Sequence, residues 1–373
     1  MSVVLDKIMR AAKHAMLSSN PVYRFEKMRL ARKRGHLNLP SYEEARARLL
    51  GLRPPLDITP PKAHSLWPEV PKYDTSVIVP CYNAAPFVEQ SIHSVLCQKC
   101  AASFEVIAID DGSTDGTPFI LDSMAEGDER VSVVHQDNKG FSGARNVGIS
   151  RIQGSSIVFL DSDDALAPGA LQALYDKLKS SGADYVTGRY TYIDERGYRL
   201  PLAARRPAGV PWGRIYNREV WRRLEFPENV WFEDTVHAYM VRPCFSEAVV
   251  DRAVYYYRKQ SGSITATSRN SKRSVDTYFV TEAMLSWRNA FGLAFDQATY
   301  DQTLYQLGPL LISRTIALDE EELACCFVCA QALLTSAGED VASTSHCAEK
   351  WLDLDSSLRC GDFELWRAAS RSI

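Results

Sequence analysis

From Ser76 onward, short apolar runs alternate with segments of helical periodicity. Ser76-Val-Ile-Val-Pro80 is the kind of run that forms a strand buried on both faces. A helical segment at about Ala85–Cys97 leads to a second strand at Phe104–Ile109. A helix near Pro118–Ala125, a strand at Val131–His135, a helix at Ser142–Arg151 and a strand at Ser156–Leu160 follow. Strands separated by single helices predict an α/β fold: a mainly parallel, Rossmann-like sheet with right-handed crossovers, flanked by helices. Ligands of such sheets bind beyond the carboxyl ends of the strands. The first strand ends in Cys81-Tyr82-Asn83, the second in Asp110-Asp111-Gly112-Ser113 and the fourth in Asp161-Ser162-Asp163-Asp164. Polar and acidic groups thus converge on one rim.

The flanks read differently. Val4, Leu5, Ile8, Met9, Ala12 and Met16 fall at helical spacing, with Lys7, Arg10 and Lys13 largely on the other side. Such a helix can lie in a membrane interface or pack on the main domain. Prolines at 54, 55, 60, 61, 68 and 71 mark a linker. Beyond residue 268 the pattern is helical, with extended apolar faces at Thr277–Trp287 and Leu323–Leu334. We expect a basic helical extension and linker over 1–73, a catalytic domain over 74–268 and a helical region over 269–373. The last could shape an acceptor pocket, form a homodimer or dock on a membrane.

Charge sharpens this picture. The 373 residues carry a formal net charge of -3, yet residues 1–53 hold twelve Lys and Arg against four Asp and Glu. A basic head on an acidic body fits a tether to an anionic membrane surface better than a nucleic-acid groove. No uncharged run reaches the roughly 20 residues of a membrane span, and no apolar leader with a cleavage site precedes the domain. Nine scattered cysteines are expected as reduced thiols in a cytoplasmic protein, and the basic head allows a peripheral position at the inner face of the plasma membrane. Cys97-Gln-Lys-Cys100 has no second pair at metal spacing and is expected to be ordinary packing.

Three carboxylates within Asp161–Asp164 repel one another at the edge of an apolar sheet. A divalent cation, Mn2+ or Mg2+, resolves the conflict and uses a substrate diphosphate to complete its shell. The alternative, an acidic cap on the helix at Pro168–Lys179, needs fewer carboxylates. Asp110-Asp111-Gly-Ser-Thr-Asp-Gly can be a plain Asx turn, but beside such a rim a carboxylate can also accept the ring N–H of a pyrimidine. Gly140 and Gly143 allow close backbone approach to a ligand, although the spacing matches no P-loop. Arg145, early in the next helix, can reach a phosphate or ion-pair with the acidic rim.

Taken in order, Val77-Ile-Val-Pro-Cys-Tyr-Asn83, Ile109–Thr117, Asn138–Gly148 and Phe159-Leu-Asp-Ser-Asp-Asp164 resemble the GT-A-fold glycosyltransferases of family 2. The resemblance continues through Pro211-Trp-Gly-Arg-Ile-Tyr216, Trp231-Phe-Glu-Asp-Thr235 and Tyr255–Thr265, and covers about residues 74–266. It implies that Pro80, Tyr82, Asn83, Asp111, Gly140, Arg145, Asp161 and Ser162 meet the donor nucleotide, uridine by expectation. It implies metal ligation by Asp163 and Asp164, with the division of labour among Asp161, Asp163 and Asp164 open. Arg214, where the family often has Lys, and Arg258 are expected at the diphosphate. Asp234 matches the usual general base, with Glu233 as its neighbouring alternative. Some relatives carry His near Gln260.

These roles fit inverting transfer of a hexosyl or N-acetylhexosaminyl unit from a UDP-sugar to a hydroxyl of a glycan or lipid-linked acceptor. A bacterial surface polysaccharide or glycoconjugate is the expected context. Two other classes compete: nucleotidyl transfer, which releases pyrophosphate instead of UDP, and a catalytically silent nucleotide-binding scaffold, which binds a UDP-sugar without turnover.

Overall fold

Ser41 and Glu44 form a reciprocal capping box at the start of helix Tyr42–Leu50 (α1). The chain then enters a sheet whose leading strands are buried almost throughout. In Tyr73–Cys81 (β1) every residue from Thr75 is buried, and Phe104–Asp110 (β2) is buried along its whole length. Helix Val88–Leu96 (α2) joins them. Thr117–Gly127 (α3), Val131–His135 (β3), Gly140–Arg151 (α4) and Gly154–Phe159 (β4) continue the alternation. These elements fall within a few residues of the expected ones.

The computed structural model describes residues 23, 27, 29, 38–55, 57–64, 67–260, 270–338 and 351–372. The apolar positions Val4–Met16 and the basic Arg32–Arg34 lie outside them. The chain divides into two units, one of Thr59–Asn229 with Glu233–Ser263, the other of Met1–Ile58, Val230–Phe232 and Ile264–Ile373.

The first unit holds an eight-stranded sheet. After β4 come Ala165–Leu166 (β5), helix Ala170–Ser181 (α5), Tyr185–Ile193 (β6), Arg214–Asn217 (β7) and Glu247–Arg258 (β8). The strand order is β3-β2-β1-β4-β7-β6-β8-β5. Pairs β1–β2, β1–β4, β2–β3 and β6–β8 are parallel, whereas β4–β7, β6–β7 and β5–β8 are antiparallel. The carboxyl ends of β1, β2 and β4 therefore open on one rim, as the pattern required. Helix α4 packs closely on β1 through Gly148, where an added Cβ would overlap Ile78 Cγ2. Ile78 is fully buried and has nowhere to move. Gly148→Ala should thus destabilise the protein by about 1 to 2 kcal/mol despite alanine's better helix propensity. A urea midpoint equal to or above that of the parent would refute this close fit.

The second unit is helical: α1, then Asp276–Ala290 (α6), Gln297–Tyr305 (α7), Leu311–Arg314 (α8), Glu320–Gly338 (α9), Leu352–Cys360 (α10) and Phe363–Ser372 (α11). Ala45 and Leu49 of α1 share a core with Tyr278, Phe279, Leu304, Phe327 and Trp366. The extension and the tail, expected as separate regions, thus build one body in their described parts. Arg53 is ion-paired to Asp276 with both side chains inaccessible, and Asp276 also accepts the Trp231 N–H at 2.8 Å. Tyr23 and Lys27 both reach Asp353, which ties that stretch of the basic extension to α10. Among the described residues no helix is long and apolar enough to cross a membrane.

Candidate active site at the strand ends

Loops after three strands are tied to one another by their polar side chains. Asn83, in the left-handed region at φ 49°, accepts the Thr114 N–H at 2.8 Å, and its own N–H donates to Ser113 Oγ at 3.0 Å. Those bonds clasp the β1 loop to the β2 loop and leave Tyr82 49% exposed, its ring available to a ligand. Pro80 is buried in β1 opposite Ile109. Asp111 is buried and accepts the Lys139 N–H at 2.8 Å and the Gln136 amide at 2.6 Å. It therefore fixes the β3 loop, which reaches Gly140 at φ 75°. His135 bridges Asp110 at 2.8 Å and Asp122 at 3.0 Å, and these two bonds, Asp110 first, raise its pKa.

The acidic segment after β4 is held from several sides. Arg145 of α4 is buried, and its Nη2 donates to Asp161 at 2.8 Å while Nη1 donates to Glu233 at 2.6 Å. Burial pulls the guanidinium pKa down, but Asp161 and Glu233 together raise it further. The acidic segment after β4 is so joined to the Glu233-Asp234 pair through Arg145, whose bond to Glu233 spans 88 positions of sequence. Ser162 is part-buried beside it. Asp163 accepts the Gln260 amide at 2.5 Å, and burial together with the Asp161 charge pushes its carboxyl up to about 6. Asp164 lies deepest. One carboxylate oxygen accepts the Arg258 backbone N–H at 2.7 Å, while Oδ2 is buried with no hydrogen bond of ordinary geometry among the described residues, the Tyr255 hydroxyl acting on the same carboxylate. Burial first, then Asp163 and Asp161, hold its pKa well above the ordinary carboxylate range.

Glu233 and Asp234 sit at a turn that follows Phe232, itself left-handed at φ 66°, and leads into a π-helical turn at His237–Val241. Asp234 is part-buried. His237 in that turn is buried between Tyr185 and Tyr216, and burial, then Arg214 and Arg242, keep its imidazole neutral.

Two expected diphosphate contacts have other work in this structure. Arg214 is buried and donates to Thr187 Oγ1 at 3.0 Å and to the carbonyls of Pro207, Val210 and Trp212. Arg258 is buried too; its guanidinium donates to the carbonyls of Asp163, Asp194 and Glu195 and to Gln90. Burial lowers its pKa. Both cations clip loops onto the sheet in this structure. Among the described residues no three His, Cys, Asp or Glu side chains are disposed to hold a metal by themselves. Cys97, whose Sγ lies 3.2 Å from His93 Nε2, belongs to no such group.

The sequence did not single out Gln136 or the Tyr255 hydroxyl, which receives the Asp161 N–H at 3.2 Å. Tyr255 stood inside the Tyr255–Thr265 motif, which was its only signal, and Gln260 was marked there only as a position near which some relatives carry His. Bonds spanning some 90 residues leave no local periodicity.

Residues 76–242 match the family model described as glycosyl transferase family 2. The uncharacterized glycosyltransferase EpsJ of Bacillus subtilis (strain 168) is 30% identical over 244 residues, covering 59% of this chain and 71% of that protein. Glycosyltransferase GlyG of Streptococcus pneumoniae is 30% identical over 221 residues, 52% of this chain and 73% of its own length. Among solved structures, S. aureus TarS 1–349 in complex with UDP-GlcNAc has a TM-score of 0.63 at 20% identity. That match covers 80% of this chain and 91% of the other, and is a likeness of fold. A mixed α/β sheet with an acidic rim at its strand ends, and relatives of this extent, define a glycosyltransferase. The chain belongs to glycosyltransferase family 2 and has the GT-A fold.

Proposed function

We propose that this enzyme moves a sugar from a UDP-sugar to a hydroxyl of a glycan or lipid-linked acceptor, with inversion at the anomeric carbon, in bacterial surface polysaccharide or glycoconjugate synthesis. The observation that carries this reading is the Arg145 bridge, which joins the acidic rim at Asp161 to the segment bearing Asp234. Donor handling and proton removal are thereby built on one buried cation. The UDP and UDP-GlcNAc complexes of TarS support uridine as the nucleoside by analogy of fold.

In this reading Pro80, Tyr82, Asn83, Asp111 and Gly140 line the nucleoside site, and Asp161 with Ser162 meets the ribose and diphosphate. Asp234 takes the acceptor hydroxyl proton as the new bond forms. The donor set fits a hard divalent cation, Mn2+ or Mg2+, that arrives with its diphosphate. Asp163 is costly as a bare carboxylate, and among the described residues one buried oxygen of Asp164 has no hydrogen-bond partner. The described residues alone supply too few ligands, which is the usual condition of a magnesium site completed by phosphate oxygens. Such a cation, once bound, supplies Lewis-acid stabilisation of the departing UDP.

Manganese-dependent release of UDP across a panel of UDP-sugars tests the proposal; pyrophosphate release would point to nucleotidyl transfer, and binding without turnover to a scaffold. Asp163→Asn should abolish the metal dependence. The pH profile carries a sign. A carboxyl raised to about 6 holds its proton where the unfolded group, near 4, does not. Its ionised form therefore destabilises the metal-free fold increasingly as pH rises from about 4 to 6, and fully above. Cation binding must displace that proton below pH 6, so manganese affinity should be about tenfold weaker at pH 5 than at pH 7. Equal affinities at the two values would exclude Asp163 as a ligand.

A further inference from the structure

Where β6 and β8 run side by side, Tyr190 pairs with Tyr255 and Tyr192 with Tyr257. Strand alternation puts these four rings on one face. Trp212 stacks on Tyr255 with centroids 4.6 Å apart and on Tyr257 at 5.5 Å, and meets Tyr190 edge-on at 5.1 Å. Tyr192 closes the group against Tyr190 and Tyr257 at 5.3 and 6.0 Å. Tyr255 and Trp212 are buried and form the floor, whereas Tyr190, Tyr192 and Tyr257 are part-buried and reach solvent. The floor is bonded to the acidic rim through Tyr255 and the Asp161 N–H. Tyr257 precedes Arg258, whose N–H binds Asp164. The aromatic surface therefore begins at the candidate site.

Its edge away from the acidic rim carries cations. The Lys259 ammonium lies 4.7 Å over the Tyr192 ring, and exposed Arg205 faces Tyr190 across an antiparallel bridge. Nearby Arg189 and Arg206 are paired with Asp251. Among the described residues neither Lys259 nor Arg205 has a carboxylate partner.

We propose that this surface is the acceptor platform, and that the acceptor it takes is an anionic saccharide, one whose sugar units carry carboxylate or phosphate. The inference rests on the transferase reading above. A pyranose presents a face of C–H bonds that suits the electron-rich face of a tyrosine ring, and its anionic substituent meets Lys259 or Arg205. A core cluster needs neither solvent-reaching phenols nor unpaired cations at its rim.

The test is calorimetric titration of the whole protein with tetragalacturonate, cellotetraose and tetraglutamate, in low and high salt. Tetragalacturonate should bind more tightly than the neutral sugar or the peptide, with the advantage lost in high salt. Tyr192→Ala should weaken it about five- to tenfold, while Tyr192→Phe keeps the ring and the affinity. Lys259→Gln should weaken tetragalacturonate and leave cellotetraose unchanged. Absence of tetragalacturonate binding, equal binding of cellotetraose or tetraglutamate, or undiminished binding by Tyr192→Ala with a wild-type melting profile each overturns the platform. UDP release by the wild-type protein is measured separately. It reports failure of the transferase reading itself, because saccharide binding requires no donor.

Discussion

Asp234→Asn should lower turnover by about a thousandfold, in the middle of the range that a positioned general base supplies, while donor affinity stays within a factor of about two. The asparagine keeps the shape of the side chain and a hydrogen-bonding oxygen but cannot take the acceptor proton at neutral pH. Donor contacts are proposed on the loops after β1 to β4, which this replacement leaves in place. The structure also separates the two neighbouring carboxylates. Glu233 is held by Arg145 at 2.6 Å, so a buried guanidinium already engages its carboxylate. Asp234 is the next residue along the turn and is part-buried. Turnover numbers and donor dissociation constants for Asp234→Asn and Glu233→Gln decide the matter. Retention of turnover within a few-fold by Asp234→Asn would remove it from the mechanism.

What the sequence revealed and what it hid follow from where each residue gets its constraint. Strands β1, β2 and β4 are buried along most of their length, so their apolar runs are easily seen. Strand β8 begins with exposed Glu247, Val249, Asp251 and Arg252 and becomes buried only toward Tyr255. Strand β6 mixes Thr187, Gly188 and Arg189 among its apolar positions. Neither carries a run that periodicity can isolate. The carboxylates were legible because three like charges at a strand end need an explanation. Arg214 and Arg258 show a further limit, because a sequence shows a cation but not the carbonyls around it. In each, backbone acceptors from a neighbouring loop surround the guanidinium, and no alternation records that. The helical unit shows the same limit. Ala45 and Leu49 look like any amphipathic pair, yet their partners lie more than 200 positions away.

Arg145→Met should cost about 3 kcal/mol of stability, at the lower end of the range for breaking a buried ion pair, and should also depress turnover. The side chain is nearly inaccessible, at 5%, while those of Asp161 and Glu233 keep 23% and 19% exposure. Water can therefore reach the stranded carboxylates in part, which is why the full penalty is not expected. Methionine fills much of the same volume, so the loss reports charge more than cavity. Arg145→Lys should recover only part of the stability, because one ammonium cannot span both acceptors as a guanidinium fork does. Urea unfolding at pH 7 reads these differences. A Met variant within about 0.5 kcal/mol of wild type, as for an ordinary surface change, would mean that the two acidic motifs are held in register by the backbone alone. In that case donor and base positioning would be independent, and turnover of the variant should survive as well.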